Sequence, residues 1–125
     1  MTTIHANTPR DALARLESMI AMAGVDLPMR AARAQIASAI GVIVQANRMS
    51  DGTRKITSIQ EVTGIEGETI SLQEIFLFKQ SGVGPTGAVE GHHTATGVRP
   101  RFWDRLVTRG IKLPESMFTP TRRAA

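Results

Sequence analysis

At Gly41 the hydrophobic period of this 125-residue chain changes, and that change constrains the fold more than any other feature. Before it, apolar residues recur every three to four positions, as on one face of a helix. After it, short apolar runs alternate with glycine-bearing turn signals, as in an antiparallel meander. The first half therefore reads as α/β and the second as mostly β.

Thr2 to Asn7, TTIHAN, reads as a short strand with a single histidine, His5, near its end. TPRD follows at once: Thr8 at a helix N-cap, Pro9 at the first helical position and the Asp11 carboxylate three residues on. Leu13, Leu16, Ile20 and Ala23 form one helical stripe, and Gly24 ends the run. Asp26-Leu27-Pro28 starts a second helix, with Met29, Ala32, Ile36, Ala39 and Ile40 on one face and Arg30, Arg33 and Gln35 on the other. A strand running into a helix at Thr8, with no earlier strand to pair with, reads as the middle of a fold.

VIVQANRM, Val42 to Met49, begins as a buried strand begins, with an unbroken apolar run. SDGT is a hairpin turn, and RKITSIQEV, Arg54 to Val62, is the return strand. Ile56, Ile59 and Val62 do not share one alternation, which predicts a bulge. GIEGE turns again, and TISLQEIFLFKQ continues in β character through Phe78. SGVGPTG is then a loop, AVEGHHTAT a last strand, and RPRFWDRLVTRG a short helix closed by Gly110. Phe102, Trp103, Leu106 and Val107 give that helix its packing face, and residues 111–125 form a tail that thins into a basic end.

The absence of cysteine removes disulfides, thiolate nucleophiles and cysteine metal sites together, and fits a reducing compartment. A net charge of +4 favours acidic partners such as anionic headgroups or nucleotide phosphates, although a solvated basic surface is its commonest meaning. At 4% aromatic residues the chain lacks stacking platforms, so no nucleic-acid partner is expected. SAIGVIVQA and IFLF are too short to span a bilayer and no secretory signal opens the chain; a soluble, intracellular protein is predicted.

Gly82 to Gly87 has the glycine spacing of a phosphate-binding P-loop, but Ala88 and Val89 stand where that motif needs Lys and Ser or Thr. The segment is a hairpin loop. His92 and His93 are adjacent in a strand and so face opposite ways, and neither they nor His5 have Cys or Asp at ligand spacing; no metal site is expected. Arg30 and Arg33, on the polar face of the second helix, are candidates for contact with a phosphate or an interface.

TTIHANTPRDALARLESM resembles the His box and following helix of the secretion traffic ATPases, the RecA-like ring ATPases of type II and type IV secretion and pilus assembly. The resemblance continues through LPMRAARAQIASAIGVIVQANRMSDGTRKITSIQEVTG and ISLQEIFLFKQSGV and closes with ATGVRPRFWDRLVTRGIKLPESMF. One branch is resembled closely, the tight-adherence (Flp) pilus assembly ATPases, over nearly the whole chain and in order.

The resemblance implies the C-terminal part of a RecA-like P-loop ATPase domain (strand-helix-helix-strand) over residues 1–47, followed over residues 48–125 by an antiparallel β meander and a short terminal helix. By resemblance His5 is the His-box histidine, near the γ-phosphate, that helps couple nucleotide state to movement; Thr3 and Asn7 are its nucleotide-proximal neighbours. Arg30 and Arg33 fall on the family's helix after the His box. The family's cofactors are ATP and magnesium, its assembly a hexameric ring of like subunits, and its partners inner-membrane platform proteins, which implies a cytoplasmic location peripheral to the inner membrane. In the family the P-loop, acidic box and Walker B carboxylate precede the His box. This chain carries none of them, so on its own it is expected neither to bind ATP tightly nor to hydrolyse it. A second reading is a free-standing, non-enzymatic module that binds ring subunits or an anionic surface through its arginines.

Overall fold

The computed structural model describes residues 1–24 and 26–121. Along them run α1 (Pro9–Met22), α2 (Met29–Ala39), β1 (Val42–Arg48), β2 (Arg54–Glu66), β3 (Thr69–Val83), β4 (Val89–Ala95) and α3 (Phe102–Thr108), with a 3-10 turn at Glu115–Phe118. The chain is thus α/β, with helices at both ends of an antiparallel meander. The basic end carrying Arg122 and Arg123 lies outside the described residues.

Local chemistry sets the helix ends. Thr8 has extended backbone, and its hydroxyl accepts the Asp11 N–H at 3.0 Å, so one free donor of the first turn is satisfied. Beyond α1 the chain turns away at Gly24, whose φ of +72° suits a residue without a Cβ. α2 has no side-chain cap; the Pro28 carbonyl accepts the Ala32 N–H at 3.0 Å and starts its ladder.

The four strands form one sheet in the order β1-β2-β3-β4, every pair antiparallel and every connection a hairpin. Gln45 pairs with Ser58 and Ala46 with Ile56, which leaves Thr57 as the extra residue of the predicted bulge. Two further shifts leave Thr63 of β2 and Ile75 of β3 without direct partners. The bulge at Ile75 allows Ile75 and Phe76, neighbours in sequence, to join the same apolar cluster.

Apolar residues sit on both faces of the sheet. On one face Leu13 of α1, Ile36 of α2 and Ile70 of β3 form a buried cluster joined by Ile43, Val62 and Leu72. On the other, Ile75 packs with Trp103 of α3 and Phe118 of the 3-10 turn, whose rings meet edge to face at 5.4 Å. Glu61 and Val62, adjacent on β2, show the alternation directly: Val62 joins the α1–α2 cluster while Glu61 bonds the start of α3.

Four features depart from the sequence reading. Residues 1–6 form no strand, because no described segment offers them a backbone ladder; the side chains of Arg15 and Gln45 hold the His5 and Ala6 carbonyls instead. β1 is the edge of the sheet rather than a buried strand, and Val42 and Val44 are 43% and 56% exposed beside the region that α3 covers. On α3, Val107 is 52% exposed, so the packing face consists of Trp103 with the half-buried Phe102 and Leu106. β3 also runs past Phe78 to Val83, which shortens the predicted loop to a tight turn where the Gly87 N–H donates to the Gly84 carbonyl at 2.9 Å. Position 47/48 lies within the β1–β2 hairpin, and both strands belong to the one sheet.

Candidate functional site

The His5 side chain is exposed and makes no hydrogen bond to a described residue, yet the backbone around it is held closely. Arg15, on the second turn of α1, donates from Nη1 to the His5 carbonyl at 3.0 Å. Gln45, buried in the middle of β1, donates from Nε2 to the Ala6 carbonyl at 2.9 Å. Asn47, two residues further along β1, donates from Nδ2 to the Asn7 carbonyl at 3.4 Å. Three successive carbonyls are therefore tied to α1 and β1, and Thr8 then caps α1. The ring at His5 is presented to solvent on a fixed backbone.

Such an imidazole can donate to a phosphate oxygen, and can donate to or accept from a water. No carboxylate or other side chain orients it among the described residues, so its tautomer is left free. Thr3 and Asn7 are exposed on the same segment and add a hydroxyl and an amide.

Arg30 is exposed on α2. Arg33 is half-buried and engaged: its Nε donates to Glu17 Oε1 at 2.7 Å, and both side chains keep about a quarter of their surface, at 25% and 23%. Arg33 lines a cavity of about 230 Å³ with Arg10, Glu17 and Glu68. Two guanidinium groups meet two carboxylates there, so the cavity has no excess charge to select an anion. Arg10 is further committed, donating from Nη2 to the Ile70 carbonyl at 3.0 Å.

His5 and Arg33 both connect to α1, through Arg15 and Glu17. Residues two apart on a helix point about 200° away from each other, so the structure assigns His5 and Arg33 to different sides of α1 and does not join them in one site. A second cavity, of about 630 Å³, lies over β3 and β4 and is lined by Lys79, His92, Thr94 and Thr121. His5, Thr3, Asn7 and Arg30 line neither cavity. His92 and His93 diverge as neighbours on a strand must: His92 Nε2 meets the Thr121 carbonyl at 3.2 Å and His93 Nε2 the Ile56 carbonyl at 2.9 Å. No three His, Asp or Glu side chains converge as a metal-binding group among the described residues.

The supporting residues Gln45 and Glu61 went unread in the sequence. Each left a signal there: Gln45 interrupts the apolar run VIVQA, and Glu61 places a carboxylate directly before Val62 in the interior of its strand. A polar side chain inside such a run has a partner when buried. No helix of the described residues is long and apolar enough to cross a membrane. Neither a protein-family model nor a curated protein matches this chain.

Proposed function

We propose that the chain is the C-terminal portion of a traffic ATPase of the tight-adherence pilus type, contributing a His-box histidine and part of a subunit surface to a ring that drives pilus or secretion-machine assembly. The observation that carries this reading is TTIHANTPRDAL itself, with an exposed imidazole at His5 and the next two residues leading into a capped helix. The fixed backbone supports it: Arg15 and Gln45 hold the carbonyls of His5 and Ala6 and leave the ring free. A side chain that senses a nucleotide has to project from a rigid support so that small ligand shifts are transmitted to the scaffold.

The residues near His5 fit a supporting contact to a phosphate and no more. They offer an imidazole, a hydroxyl and an amide, but no lysine, glycine-rich anion cradle or magnesium carboxylate. In this reading ATP and magnesium are held by parts of the ring outside these residues, and the pure 125-residue chain is expected to show no magnesium-dependent ATP turnover.

The test is to translate the coding DNA upstream of Met1 in the same frame. An open frame containing G-x-x-x-x-G-K-[ST] and then a Walker B strand supports the proposal. A stop codon and ribosome-binding site immediately upstream favour the free-standing module. Magnesium-dependent hydrolysis by the pure chain would refute the division of labour just described.

A further inference from the structure

The cavity of about 630 Å³ over β3 and β4 has a floor set by strand register. Leu77 of β3 lies directly across from Thr94 of β4, and Lys79 across from His92. Residues two apart on a strand share a face, so these four side chains point to one side of the sheet. Pro120 and Thr121, beyond the 3-10 turn, add a wall. That wall is bonded in place: the Thr121 N–H donates to the Thr94 hydroxyl at 2.6 Å, and His92 Nε2 meets the Thr121 carbonyl at 3.2 Å. The volume lies within the range of small-molecule sites, about 300–1,000 Å³.

Most polar groups around the cavity are already bonded within the chain. The Thr94 hydroxyl, besides accepting from Thr121, donates to the Ala95 carbonyl at 3.0 Å. The Thr96 hydroxyl donates to the Glu74 carbonyl at 2.8 Å. A carbonyl only accepts, so the His92 proton sits on Nε2, against Thr121. Lys79 is different: it is exposed, and its ammonium forms no ion pair among the described residues.

No carboxylate lines this cavity. Glu90, two residues before His92 on β4, turns its carboxylate to the hairpin turn, where Oε1 lies 2.7 Å from the place a Cβ would take on Gly84. The Glu74 carboxylate accepts the Ser58 hydroxyl at 2.6 Å. The smaller cavity is the opposite case, since Arg10 and Arg33 meet Glu17 and Glu68 there. An ammonium without a counter-charge favours an anion and disfavours a cation. Leu77, Ala95 and Pro120 line the same cavity and offer that anion apolar contact.

We propose that the β3–β4 cavity binds a small organic anion, its acidic group held by the Lys79 ammonium and its apolar body resting on Leu77, Ala95 and Pro120. Lysine is a point charge without a planar fork, so the acidic group can be a carboxylate, a sulfonate or a phosphate. The proposal does not rest on the ATPase reading, since it uses no residue of the His5 segment.

The probe is anilinonaphthalene sulfonate, which joins one sulfonate to an aromatic body, with uncharged N-phenylnaphthylamine as its counterpart. Fluorescence titration of the full chain at ~0.05 M salt is expected to show saturable binding of the anionic probe. K79Q should weaken it about fivefold, the upper end for a partly exposed ion pair, and leave the uncharged probe unaffected. Circular dichroism checks that K79Q is folded, as replacement of an exposed side chain predicts. K55Q removes a lysine whose ammonium lies over the Phe78 ring and is expected to bind like the parent chain. Proton NMR of the parent chain locates the probe independently of any variant. The His92 ring signals should move during the titration, whereas those of His93, which faces the other side of the sheet and meets the Ile56 carbonyl, should stay in place. Absence of saturable binding overturns the proposal. So does equal loss in K79Q and K55Q, or movement of the His93 signals in place of those of His92.

Discussion

Glu61 of β2 caps α3 from 40 residues away: its buried carboxylate accepts the Arg101 N–H on Oε1 at 2.8 Å and the Phe102 N–H on Oε2 at 2.9 Å. The two donors are free groups at the start of a helix, where negative charge is also favoured by the helix dipole. Arg101 has no side-chain cap of its own, and its guanidinium reaches back to Thr63 on the same strand. One strand therefore fixes the start of α3 and holds the Arg101 side chain.

Replacing this carboxylate is expected to loosen α3. E61Q puts an amide donor against one of the two N–H groups and should lower the unfolding free energy by about 1–3 kcal/mol, the usual range for a buried group left without its partner. Urea denaturation monitored by Trp103 fluorescence measures it. An unchanged midpoint would mean that the cap contributes nothing.

Asp51 predicts a pH dependence. Its carboxylate accepts from the Thr53 hydroxyl at 2.6 Å, the Thr53 N–H at 3.0 Å and the Val89 N–H at 2.8 Å, and so ties the β1–β2 turn to the start of β4. These bonds, that from the Thr53 hydroxyl foremost, hold its pKa at about 2, below the ordinary 3.8. A group whose pKa is lowered by folding stabilises the fold above its unfolded value and loses that contribution as pH falls through the folded one. The difference in urea midpoint between the parent chain and D51N should accordingly be full at pH 5 and shrink steadily as the pH is taken down towards about 2. A difference that stayed constant over that range would exclude the ionised carboxylate as the cause.

The His5 segment separates support from presentation. H5A removes an exposed ring without a partner and should change stability by less than about 0.5 kcal/mol, as surface substitutions usually do. Q45A removes the donor to the Ala6 carbonyl from a buried position and should destabilise by about 1–2 kcal/mol. Parallel thermal melts of the two variants decide it. Equal effects would mean that the ring itself is part of the packing.

Gly91 of β4 is a close approach. A Cβ there would run into the Lys79 carbonyl oxygen and the Phe78 ring. One of these is backbone of a paired strand and does not yield cheaply, so G91A should destabilise by roughly 1–3 kcal/mol, the range for overpacking. Hydrogen exchange should place the loss at the β3–β4 pairing, with faster exchange there than at β1–β2.

What could be read from the sequence was what depends on neighbours in the chain. Thr8, Pro9 and Asp11 specify where α1 starts, because a helix bonds residue to residue four apart and its cap lies within three positions. The Asp51-Gly52 and Gly67 turns specify the hairpins, and the failed alternation of Ile56, Ile59 and Val62 specifies a bulge. The tertiary structure decided what depends on distant partners. TTIHAN has strand-like residues but no ladder, since a strand exists only where another backbone lies beside it. Val42 and Val44 form an apolar run that ends up half in water, because β1 is the sheet's edge and α3 does not reach it. Arg30 and Arg33 looked equivalent on one helix face, and Glu17, sixteen residues before Arg33, engaged only one of them. Nothing local in Glu61 announces a helix cap, for the N–H groups it meets come from the far end of the chain, and only the folded sheet brings them within 3 Å.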